Sequence, residues 1–173
     1  MSQYLAYYDM TYFIIQTNLV KTSQSVNTLL ILFSSFLVFI MQPGFALLEV
    51  GQVQAKNTAN VAMKNLMDWS QGVLTYFLAG AAVASLVGSL TAPGPVSLAA
   101  AFQYVTDPTA LAGWLFGAVF AMTAATIVSG AVAGRIKFTT YLVFGLIIVT
   151  VIYPVVQGMA WEGLLTADGY VGQ

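Results

Sequence analysis

Few side chains in this sequence can do chemistry. Asp, Glu, Lys and Arg make up only 6% of 173 residues, and His and Cys are both absent. Without them there is no disulfide, no Cys/His zinc site, no haem held by His and no Ser-His-Asp triad. Two kinds of candidate remain. Glu49 and Asp68 are acids inside or beside long apolar stretches, where an ionisable group is a functional candidate by default. The other reading of both is pairing at the membrane interface with Lys56 and Lys64. Phe116 and Phe120 stand one helical turn apart, and Trp161 ends a later apolar stretch. Aromatic rings at that spacing mostly pack against core or lipid, but their faces also attract cations.

The elements that must hold these residues are membrane helices. The AVILMFWYC group makes up 59% of the chain, and so little charge could not solvate the surface of a soluble domain. A soluble enzyme, a disordered chain and a nucleic-acid binder are excluded; the last needs a basic patch. Four stretches reach the roughly 20 apolar residues that cross a bilayer: about Asn27–Val50, Trp69–Leu90, Leu111–Gly134 and Thr140–Trp161. The second helix is expected to begin earlier, near Thr58. None shows the alternation of a barrel strand.

Lys56, Lys64, Arg135 and Lys137, four of the five cations, fall in two short connections. The positive-inside rule puts those loops in the cytoplasm and both chain ends outside. Residues 1–25 are expected to form an extracytoplasmic segment lying on the membrane. Their apolar run lacks a preceding basic region and is broken by Asp9, unlike a signal peptide. Residues 26–161 carry the four helices, and residues 162–173 begin an outer loop.

Gly113, Gly117, Ala121, Ala125 and Ser129 recur every four residues, and Gly80, Ala84 and Gly88 repeat the device. Such rows let helix backbones approach closely. Pro43 and Pro154 lie inside the first and fourth stretches, where each frees a carbonyl and can kink its helix. Gln42 is expected to hydrogen-bond between helices.

Phe36–Trp69 (FLVFIMQPGFALLEVGQVQAKNTANVAMKNLMDW) resembles the first-to-second helix signature of the ammonium transporter family (Amt/Mep/Rh), in its bacterial and plant-type Amt branch. The likeness continues through Gly130-Ala131-Val132-Ala133-x-Arg135-Ile136-Lys137-Phe138, then Tyr153-Pro154 and Trp161-Glu162-Gly163. It implies an all-α membrane fold of eleven helices in an inverted repeat, of which this chain corresponds to helices one to four. It implies ammonium transport, with Phe120, Trp161 and Phe116 at an outer aromatic recruitment site. Phe45, Leu48, Ile127 and Ala160 match pore-wall positions. The family further implies a homotrimer in the cell's inner membrane and a PII-type regulatory partner, with no cofactor and no enzymatic activity.

The departures are specific. The family pore carries two facing histidines on helices five and ten, and this sequence has no histidine. Asp168 lies in Thr166-Ala167-Asp168-Gly169, which does not match the family's outer aspartate motif. Residues 1–173 are therefore expected to be a portion of the transporter. An Amt-type ammonium sensor of a signalling protein and a non-transporting short membrane subunit are the alternatives.

Overall fold

The computed structural model describes residues 2–91 and 98–161. Its described elements are helical: α1 (Ser2–Gln52), α2 (Thr58–Thr75), α3 (Ala81–Thr91), α4 (Leu98–Ala101), α5 (Pro108–Val132), α6 (Phe138–Ile147) and α7 (Tyr153–Trp161). A π-helical turn at Tyr76–Gly80 joins α2 to α3, and another at Ile148–Ile152 joins α6 to α7. Four spans are long and apolar enough to cross a membrane: Met10–Gln52, Ala55–Leu90, Pro108–Val132 and Phe138–Trp161. Three of the four expected stretches each fall within one of them; the third in chain order, about Leu111–Gly134, overruns Pro108–Val132 by two residues at its end. Residues 162–173, including Glu162 and Asp168, lie outside the described residues.

Helix α1 departs from expectation at its start. It runs unbroken from Ser2 for 51 residues, where a span from about Asn27 was expected. Residues 2–26 contain no Pro or Gly, so nothing in them stops a helix. At 1.5 Å per residue it is about 75 Å long, against a hydrocarbon core of about 30 Å. It is therefore more than twice as long as a straight crossing needs. Pro43 sits inside α1 without ending it. Pro154 instead follows the π turn of the fourth span, which relaxes the hydrogen-bond ladder beside the missing donor.

Helix α5 is the hub. Its start is set by Asp107, whose Oδ1 accepts from the Thr109 amide at 2.8 Å, with Pro108 in the first turn. It ends at Val132 with Ala133 as its cap, and Gly134 takes φ +72°, a left-handed conformation suited to glycine. Gly117, Ala121, Ala125 and Ser129 of the four-spaced row are buried, as are Gly80, Ala84 and Gly88. Close approach is literal at two points. A Cβ on Gly80 would stand 2.8 Å from the Val149 carbonyl oxygen, and one on Gly158 would overlap that of Ala84. These contacts bring the second and fourth spans backbone to backbone. Gly113, the first of the row, is exposed and has open space before it.

Candidate functional site

Two assemblies, one aromatic and one polar, follow one another along the bundle. The first lies at the end away from the basic loops. There Phe116, Phe120 and Trp161 line one cavity of about 540 Å³, together with Ile31, Tyr153 and Gln157 and the bare backbone of Gly113 and Gly117. Phe116 and Phe120 meet edge to face, with ring centroids 4.9 Å apart at 60°. Both rings are half-buried, while Trp161 is 66% exposed. Gln157 is anchored: its Oε1 accepts from the Tyr76 hydroxyl at 2.7 Å. The wall is chiefly apolar and aromatic with one fixed amide, and it carries no formal charge. Such a surface can take a small cation through ring faces and an amide oxygen as water leaves it.

Gln157 and Tyr153 were not expected as site residues from the sequence, although Tyr153, Gln157 and Trp161 follow four-residue spacing along one helix face. Gly113 and Gly117 were read as packing residues only. Gly117 does pack, since a Cβ there would meet the Tyr76 hydroxyl, but both glycines also widen the cavity.

The four pore-wall candidates do not line this cavity. Ile127 follows Phe120 by two turns on the same face of α5 and is 57% exposed; Leu48 is 55% exposed. Phe45 and Ala160 are half-buried. Ile127 and Leu48 thus present apolar side chains away from this chain's own core.

The second assembly is polar and buried. Gln42, fully buried on α1, donates to the Thr123 hydroxyl at 2.9 Å and accepts from Thr126 at 3.0 Å. This is the interhelical role expected for it. Glu49 and Asp68 are 5% and 4% exposed, so neither lies at an interface as expected, although Lys64 still acts electrostatically on Asp68. Glu49 Oε2 accepts from Asn65 Nδ2 and from Ser129 Oγ, each at 3.0 Å. The Tyr141 hydroxyl donates to Asp68 Oδ2. Lys64 is itself 2% exposed; its Nζ donates to the Ile136 carbonyl at 3.2 Å and lies 5.6 Å from the Tyr141 ring centroid. Lys64 therefore belongs to the span rather than to a loop. Lys56, Arg135 and Lys137 remain exposed at the basic end.

Four helices of this length and composition, packed through small-residue faces, define a multi-pass membrane protein. Residues 29–171 match the model of the Ammonium Transporter Family, and the chain belongs to that family. It is 62% identical over 151 residues to ammonium transporter Amt1 of Haloferax mediterranei, covering 87% of this chain and 29% of that protein. Against Amt2 of the same organism the identity is 51% over 154 residues, with 86% and 34% covered. Amt2 of Archaeoglobus fulgidus is 44% identical over 132 residues, with 76% and 28% covered. The chain thus spans about a third of the length of these relatives. No solved structure matches it.

Proposed function

We propose that the protein carries ammonium across the membrane, taking it up at the aromatic cavity of Phe116, Phe120 and Trp161. The observation that supports this reading most is the convergence of those three rings from two helices on one uncharged cavity. A cation entering it exchanges water for ring faces and the Gln157 oxygen, which favours a small, weakly hydrated ion over a larger or divalent one. Beyond the cavity, Phe45, Leu48, Ile127 and Ala160 would form one wall of an apolar path. The exposure of Leu48 and Ile127 on this chain suits side chains that face a pore closed by further helices. An apolar wall passes neutral ammonia more readily than the ion, so the proton must leave before the path narrows.

Lys56, Arg135 and Lys137 at one end support an orientation with the N-terminus and the cavity outside the cell. A homotrimer in the inner membrane, a PII-type partner and the lack of enzymatic activity belong to the same family-based proposal.

The test is electrical. Reconstituted protein should give a saturable current on ammonium addition, and Phe120→Ala with Trp161→Ala should raise the half-saturating concentration. An ammonium-dependent conformational signal without current would indicate a sensor, and neither response would leave a structural subunit.

A further inference from the structure

The buried assembly at the basic end is short of a positive partner. Glu49 Oε2 holds both of that carboxylate's donors, Asn65 Nδ2 and Ser129 Oγ. Glu49 Oε1 and Asn65 Oδ1 have no hydrogen-bond partner, although their residues are only 5% and 1% exposed. The Asn65 amide cannot be turned round to repair this. Its nitrogen donates to Glu49 and, at 3.1 Å, to the Val61 carbonyl, and reversal would set oxygen against oxygen at both places. Two acceptors on side chains already in contact are therefore left in a region that excludes water, where unmet acceptors are costly.

Space adjoins them. A Cβ on Gly130 would lie 3.4 Å from Glu49 Oε1, so the glycine leaves about a methyl group of room there, and Gly130 is itself exposed. Formal charge points the same way. The assembly holds two carboxylates, Glu49 and Asp68, and one ammonium, Lys64, which donates to Ile136, lies beside the Tyr141 ring and acts electrostatically on Asp68. Lys64 serves Asp68, while the donors to Glu49, from Asn65 and Ser129, are neutral. A divalent metal does not suit the site: no group of three or more His, Cys, Asp or Glu able to hold a metal occurs among the described residues.

We propose that Glu49 Oε1 and Asn65 Oδ1 anchor a binding site for one monovalent cation of ammonium or sodium size, separate from the aromatic cavity. Either ion offers what the two oxygens lack, N–H donors in one case and a hard cation in the other. The site does not depend on the transport reading.

Thermal unfolding of the purified protein tests it, in a Phe120→Ala/Trp161→Ala background that disables the outer cavity. Ammonium and sodium chloride are titrated against choline chloride at fixed ionic strength. The expected result is a saturable rise in melting temperature with ammonium or sodium and none with choline, and whichever ion acts identifies the ligand. Glu49→Gln should abolish the rise while staying folded, because the new amide supplies a donor in place of the ion. Gly130→Ala should diminish the rise by filling the space with every charge retained. If the background does not fold, the same titration of the unsubstituted protein against Glu49→Gln alone reads the inner site as their difference. Equal melting in ammonium, sodium and choline would overturn the proposal, as would a rise undiminished in Glu49→Gln. A missing transport current would count against the outer-site reading and leave this result intact.

Discussion

The Tyr141 hydroxyl donates to the Asp68 carboxylate, and this bond ties the second span to the fourth where both are buried. Tyr141→Phe removes the donor and leaves a buried carboxylate under-satisfied. The expected loss is about 1–3 kcal/mol, read by denaturant or thermal unfolding in detergent. The double variant Asp68→Leu/Tyr141→Phe should cost less than the two singles added together, because both polar partners leave at once.

Gln42 bridges α1 to α5 through two threonines. Gln42→Leu should cost only about 1.2 kcal/mol, at about 0.6 for each of its two interhelical hydrogen bonds in the membrane. Thr123 and Thr126 keep their bonds to the Val119 and Met122 carbonyls, so neither hydroxyl is stranded. A loss above 3 kcal/mol would show that Gln42 does more than join the helices.

Two glycines separate close packing from open surface. Gly158→Ala would drive a methyl group into the Ala84 carbonyl, a piece of backbone that cannot swing aside. Destabilisation by at least about 1–3 kcal/mol is expected from overpacking. Gly44→Ala meets nothing within 4 Å and should leave the melting temperature unchanged or slightly raised.

At the aromatic cavity, Phe120→Leu keeps apolar bulk and removes the ring face. Losing one desolvated cation–π contact, worth about 1–2 kcal/mol, should raise the half-saturating ammonium concentration roughly tenfold. Gly117→Ala displaces the Tyr76 hydroxyl and with it the anchor of Gln157. It should raise half-saturation with less effect on maximal current. Concentration–current curves for the two variants check both.

Much of this molecule is legible in one dimension. Membrane spans reveal themselves through composition, because hydrocarbon demands long apolar runs. The four expected spans emerged with ends mostly shifted by a few residues; the exception was α1, which continues upstream because nothing there stops it. Four-residue rows of small residues marked the helix contacts, since a helix returns to the same face every turn. The Phe116–Phe120 pair in one half of its helix and Trp161 at the end of another were visible as aromatic rings, and family likeness suggested their role.

Other relationships needed the fold. Whether an acid near a helix end reaches water or turns inward depends on what the next helix presents, and that is a matter of rotation about the helix axis. Glu49 faces Asn65 and Ser129, residues 16 and 80 positions away, and Lys64 turns from loop charge to buried donor for the same reason. Gln157 enters the aromatic cavity only because Tyr76, 81 positions distant, holds its amide there. Local periodicity determined which segments became helices and which faces could touch. The tertiary structure decided which polar atoms found partners, because in a bundle those partners come from other helices at separations no short-range pattern encodes.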